Sequence, residues 1–377
     1  MNLYRASTQW ATRPDDERFS TLGEMLRSCE YYRNSAVTGS VELGQLRAVN
    51  DNGEVKITGV NQSARLTHWA FGQVARIAGA PAGYLRGLPA PLAVENLNHG
   101  LPKSEGTGKL LLHKNGDMIA RCITSDNYTR IWNTDVIKRL MDLEADGWQV
   151  PPARPAREDQ RGSRPATEAD VLHGNRFGLS VNVGDMIAPA GLYASDHDMF
   201  AFMVNESRRI DDGSDGGLSR GFFVGNSEVG GGSLFAITFY YRHVCGNHIV
   251  WGASNVCEAR LVHRGNADAR FRSEFLVELR KYADDAASED EARIKAAKTR
   301  VIAADKDSVI DTLFGKRIAS RKDLVAAWDY AEQDDAATPN TVWGMVQGIT
   351  RLSQDRPFAD ERVELDRAAG KILTLAV

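Results

Sequence analysis

The sequence predicts an α+β protein: a central, mainly antiparallel sheet with hairpins, flanked by N-terminal and C-terminal helices. Three observations carry this. Strand-like apolar runs cluster in the middle of the chain, helical periodicity dominates both ends, and two strong hairpin turns stand in the first third. The chain has 377 residues, 42% of them apolar and 25% charged. A core of that size offsets ordering entropy, which excludes disorder of the whole chain. No apolar run approaches the roughly 20 residues of a bilayer helix, so no membrane partner is expected.

Residues 17–33 place Leu22, Met25, Leu26 and Cys29 on one helical face. Asn52-Gly53 between LRAV and EVKI predicts a hairpin. Residues 64–79 read as a helix stopped by Gly79 and Pro81, and PLAVENLNHGL as a shorter one. KLLLH and MIARCIT predict a second hairpin around Asn115-Gly116, followed by a helix near 134–144 with Asn133 or Thr134 as its cap. Proline-rich residues 151–176 read as a loop. Strands are expected at FGLSVNV, MFAFMVN, GFFVG and SLFAITFYYRHV, and helices from 267 onward. The resulting organisation is 1–60 (helix and hairpin), 61–265 (α+β core with the loop inside it) and 266–377 (helical).

Charge and cysteine usage bound the function. The net charge is −4, and charges of both signs are spread evenly, so any nucleic-acid site must be a local patch. Arg outnumbers Lys, which suits forked contacts to phosphate and equally suits a GC-biased genome. Four cysteines and no apolar leader at the N-terminus point to a reducing cytoplasm.

The densest chemistry lies in the Gly-rich stretch GNSEVGGGS and the run YYRHVCGNH. Successive glycine amides there suit an anion-binding nest, and a flexible hairpin loop explains them as well. Aromatic, Arg and His residues on one strand suit base stacking and phosphate contact, or one core face and one surface face. His243, Cys245, His248, Cys257 and His263 lie close in sequence, but their spacing is loose for structural zinc, so no metal site is expected. Asp196-His197-Asp198 reads as a polar turn before a strand. Arg121, Tyr128 and Arg130 near the second hairpin form another candidate surface, with Lys109 and His113 on its basic face.

Four pieces carry a family resemblance: IAGAPAGYLRGLP, ARCITSDNYTRIWNTDVIKRL, VGNSEVGGGSLFAITFYYRHVCGNHIVWG and NTVWGMVQGITRL. In this order they resemble the phage- and plasmid-borne family described as domain of unknown function 932, from about residue 60 to the C-terminus. The family-like positions of the third piece are Asn226, Ser227, Glu228, Gly230, Ser233, Arg242, Cys245 and Asn247. The resemblance implies a setting in mobile-element DNA metabolism and no defined cofactor.

Three readings follow. In the first, the protein binds single-stranded DNA as an oligomer, loosely resembling single-strand annealing proteins, with Arg121, Arg130, Arg220, Tyr240 and Arg242 as contacts. In the second it is an enzyme whose Glu228, Arg242, Cys245 and Asn247 line a pocket under the Gly-rich loop, with Glu228 as general base. In the third it is a structural or interaction protein whose Glu228–Arg242 pair pins a hairpin.

Overall fold

The computed structural model describes residues 17–59, 63–155, 163–176, 180–188, 191–210, 217–242, 248–251, 259–284, 288–333, 338–354 and 359–376. Its mainly antiparallel sheets, with helices before and after them, are the α+β arrangement the sequence predicts. Strand β1 (Arg18–Phe19) leads into helix α1 (Leu22–Asn34). The Thr21 hydroxyl accepts from the Glu24 amide at 3.1 Å, and the Glu24 carboxylate accepts from the Ser20 and Thr21 amides. This reciprocal cap explains why the helix starts at Leu22, five residues later than its charged N-terminal stretch suggests. Leu22, Met25 and Cys29 form its buried face.

Strands β2 (Ala36–Glu42), β3 (Arg47–Asp51), β4 (Glu54–Thr58), β5 (Ala64–Leu66), β6 (Thr107–Asn115) and β7 (Asp117–Ser125) form one six-stranded sheet, ordered β2-β6-β7-β5-β4-β3. Asn52 and Gly53 take φ of 53° and 86°, the left-handed pair a tight hairpin needs. Helices α2 (His68–Ile77), α3 (Ala82–Arg86) and α4 (Ala90–Gly100) contribute Val74, Ala75, Leu85 and Leu97 to a core shared with Ile57, Leu110 and Ala120. Residues 64–66 are a correction to the sequence reading. They form a strand parallel to β7, and the helix starts only after Thr67, whose hydroxyl accepts from the Ala70 amide. Helical spacing and a short buried strand look alike over three residues. The expected division at residue 60 runs through this sheet.

Helix α5 (Asn133–Asp142) and strand β8 (Trp148–Gln149) follow. The expected loop at 151–176 holds β9 (Arg154–Pro155), β10 (Arg164–Pro165) and helix α6 (Glu168–Arg176). The two short strands pair with β11 (Met186–Ala188) in a small sheet. The Arg164 guanidinium grips both Asp170 oxygens at 2.8 Å, and Asp170 accepts from the Thr167 amide, which fixes the start of α6. Of the FGLSVNV run, residues 177–179 lie outside the described residues and 180–183 form no strand.

The large sheet contains β12 (Leu192–Ala194), β13 (Met199–Ile210), β14 (Leu218–Asn226), β15 (Leu234–Arg242), β16 (His248–Trp251) and β17 (Ala259–Leu261). Its order is β1-β12-β13-β14-β15-β16, with β8 on β13 and β17 on β15. One face buries Met203, Phe222 and Val224 against Trp148, α1, α5 and the segment α7 (Ala267–Arg270), π turn (Phe271–Phe275), α8 (Leu276–Asp284). Helices α9 (Ser288–Thr299), α10 (Lys306–Gly315), α11 (Arg321–Ala331), α12 (Val342–Gln354) and α13 (Ala359–Leu373) form a C-terminal bundle whose core takes in Ile210 and Leu218. No described helix is long and apolar enough to cross a membrane.

Candidate functional site

The Gly-rich segment turns between β14 and β15, where the large sheet meets the six-stranded one. It is held from both sides by buried polar groups. Glu228 is 2% exposed. One carboxylate oxygen accepts from Arg121 Nη2 at 3.2 Å, and the other accepts from the Asn133 amide at 2.7 Å. Asn133 opens α5, so an unpaired amide of that helix start finds a buried anion. Arg121, on β7 and also 2% exposed, donates twice to the Asp196 carbonyl and lies 5.0 Å from the Tyr32 ring centroid. Arg130 donates to the Glu228 carbonyl and stands over the Tyr128 and Trp132 rings.

The neighbouring backbone is held as closely. The Asn226 side chain donates through Nδ2 to the Ile131 carbonyl and to Asn133 Oδ1. Ser227 Oγ donates to the His197 carbonyl and accepts from the Gly231 amide at 2.9 Å. Tyr128 donates to the Ser227 carbonyl and accepts from the Gly230 amide. The Val229 carbonyl accepts from both Trp69 and Gln73, and the Gln73 oxygen accepts from the Ile123 amide. Amides that an anion nest would present are therefore spent within the loop at Gly230 and Gly231. Gly231 has no room for a side chain, since a Cβ there would lie 2.9 Å from Ser227 Oγ and 3.4 Å from the Trp69 ring.

Several expectations are corrected by this geometry. Glu228 pairs with Arg121, not with Arg242. Arg242 is the last residue of β15, opposite Leu218 and His248, and Leu234 to Arg242 spans roughly 27 Å at strand rise. The backbones of Glu228 and Arg242 thus belong to opposite ends of the hairpin. Cys245 and Asn247 lie outside the described residues, as do His243 and Cys257. Tyr240 stands on β15 opposite Arg220. Arg220 is 1% exposed on the core face, its guanidinium 4.0 Å from the Tyr282 ring centroid. Arg121 and Arg220 are thus enclosed. Among the described residues no group of three side chains is arranged to hold a metal ion.

Burial sets the titration of the groups around the loop. It pushes the Cys29 and Cys122 thiols up, with the Glu228 charge adding to it at both, so neither is a ready thiolate. Tyr128 is likewise pushed up. His263 stacks on Tyr128 at 5.2 Å, and Nδ1 faces the Thr129 carbonyl at 3.1 Å. Burial, with the Arg130 charge beside it, lowers His263 to about 4. The folded state favours the neutral ring, whereas an unfolded histidine titrates near 6.5. The unfolded chain therefore binds the extra proton, and stability is lost as pH falls from 6.5 toward 4. Thermal or urea unfolding at pH 7 and pH 5 should show an acid-dependent loss of about 2 kcal/mol from this group. His263→Gln should remove that part of the pH dependence; an unchanged profile would mean the ring carries no such strain.

Sequence reading put Tyr128 and Arg130 on a separate surface near the second hairpin, and missed Trp69, Gln73 and Asn133 as supports of the loop. A signal existed for Gln73: it falls between Ala70 and Val74 on the apolar face of its helix, where a polar side chain needs a buried partner.

Outside this buried network the loop presents a surface. Gly230 is exposed, and Lys109, Arg260 and Arg264 stand exposed around it. Lys109 Nζ reaches the Tyr128 carbonyl at 3.0 Å, the Arg264 backbone forms an isolated antiparallel bridge with that of Tyr128, and Arg260 Nε donates to Ser233 Oγ at the loop's end. Trp69 lies under Gly231, stacked on His197 with ring centroids 6.0 Å apart.

No curated protein and no solved structure matches the chain. Residues 179–369 match the model of a family described as Domain of unknown function (DUF932), and they contain the loop, both strands of its hairpin and the helices up to α13. With half of its length matched, this chain is a member of the DUF932 family.

Proposed function

We propose that the protein belongs to mobile-element DNA metabolism, binds single-stranded DNA and acts in annealing or recombination in the cytoplasm. The observation that carries this reading is the exposed turn at Gly230 ringed by Lys109, Arg260 and Arg264 with the Tyr128 and Trp69 rings beside it. Cations track a phosphate backbone, and the Tyr128 and Trp69 rings, stacked on His263 and His197, shape the turn between them. Arg130, half-buried under the loop, adds to the local positive field. The Glu228 network serves as the scaffold of this surface. A carboxylate 2% exposed and already bonded to Arg121 and the Asn133 amide does not open to a surface, which removes the support for Glu228 as general base.

Fluorescence anisotropy with a labelled single strand, beside a duplex of the same sequence, tests the reading. Three phosphate contacts predict that affinity falls about 20-fold between about 50 and 200 mM salt. Lys109→Ala and Arg264→Ala should each weaken binding and shallow the salt slope by about 0.7. No binding at micromolar protein would sink the proposal. The same buried network favours a second reading, a structural or interaction protein with no nucleic-acid ligand. That reading requires Lys109→Ala and Arg264→Ala to leave the protein's behaviour toward DNA unchanged.

A further inference from the structure

The six-stranded sheet ends on two edges that are treated very differently. At β3 the Asn98 side chain acts as a substitute neighbour: its oxygen accepts from the Ala48 amide at 2.7 Å, and its nitrogen donates to the Ala48 carbonyl at 2.8 Å. At β2 nothing comparable is present among the described residues. The Lys114 amide donates to the Ser35 carbonyl and the Leu43 amide to the Gly106 carbonyl, which sets the phase of the β2–β6 ladder. Val37, Gly39 and Val41 therefore turn their backbone groups toward β6, and Ala36, Thr38, Ser40 and Glu42 turn theirs outward. The strand carries one charge, at its last residue, and no proline or bulge, the devices that normally protect an edge.

We propose that β2 is the interface of a homodimer in which two copies of this chain pair antiparallel about a two-fold axis at Gly39. The occupant is a second copy because the strand is complementary to itself in this register. Thr38 pairs with Ser40 of the other copy, and Ala36 with Glu42, so every outward backbone group meets its complement and no like charges face each other. Val37 gains a cover as well. It is 44% exposed, while Val41 on the same face is 6% exposed, and the register sets Val37 of each copy beside Val41 of the other. Since Asn98 blocks the other edge of the sheet, the pairing closes as a dimer and does not propagate into a fibre. The proposal stands independently of the nucleic-acid reading.

Gly39 supplies the test. A Cβ there meets nothing within 4 Å, so a side chain is tolerated by the single chain. At the two-fold axis the Gly39 pair is of the close, non-hydrogen-bonded kind, with Cα atoms about 4.5 Å apart, within the range a disulfide spans. Light scattering or sedimentation of the full chain at tens of micromolar should give twice the chain mass. Gly39→Lys should weaken the dimer at least about tenfold with unchanged circular dichroism, by placing two ammonium groups together. Gly39→Cys should give a covalent dimer on mild oxidation, whereas the native chain and Gly83→Cys, at another open glycine, should not. A monomer at these concentrations overturns the proposal. So does a dimer that Gly39→Lys leaves intact and Gly39→Cys fails to cross-link.

Discussion

Arg121→Ala is expected to destabilise the protein by about 3–5 kcal/mol, because it leaves the Glu228 carboxylate buried without its cation. Both partners are almost fully enclosed, so water cannot replace the lost donors. The Asp196 carbonyl loses both guanidinium bonds at the same time. Glu228→Gln is expected to cost less. A neutral amide keeps an oxygen for the Asn133 amide, and Arg121, though now without its anion, keeps both bonds to the Asp196 carbonyl. Joining Arg121→Met to Glu228→Gln should recover part of the loss, since no net charge is then buried. Denaturant unfolding of the three variants gives the ordering directly. An Arg121→Ala protein as stable as the native chain would mean that the pair is solvated and the loop is held by its other bonds.

This pair shows how far the sequence could be read. The Gly-rich loop, its flanking strands and the α+β class were legible, because alternating apolar runs and turn residues act over a few neighbours. Glu228 was legible as a residue needing a partner. Its partner was not, since Arg121 lies 107 residues away on another sheet and no local pattern encodes that pairing. Arg242 was the nearer cation in sequence, yet strand geometry carries it to the far end of the hairpin. Arg220 and Arg121 look like surface cations by type alone. Tertiary packing buries them, one against Tyr282 and the other between Glu228 and Tyr32. The strand at 64–66 was hidden for a related reason: its parallel partner β7 comes more than 50 residues later.

The same argument, that long-range packing decides what a residue does, makes Gly348→Ala the second large effect. Gly348 lies in α12, where the helix crosses α11. A Cβ at this position would fall 1.9 Å from the Ala327 carbonyl oxygen and 2.8 Å from its carbon. Those are backbone atoms of a buried helix, so no rotamer change relieves the overlap, and the two helices must separate. That loosens a core containing Ala327, Ala331, Val346 and Ile349. Overpacking of this kind costs typically about 1–3 kcal/mol, and more where backbone must move. The expected loss is therefore about 3 kcal/mol or more from the overlap, against the roughly 1 kcal/mol that alanine's better helix propensity contributes. Gly315→Ala is the matched control: it ends α10 with nothing within 4 Å of an added Cβ, so it should be neutral or mildly stabilising. Thermal unfolding of the two variants separates the effect of space from that of propensity. Equal melting temperatures would show that α11 and α12 part without cost, and that the bundle is not packed through this glycine.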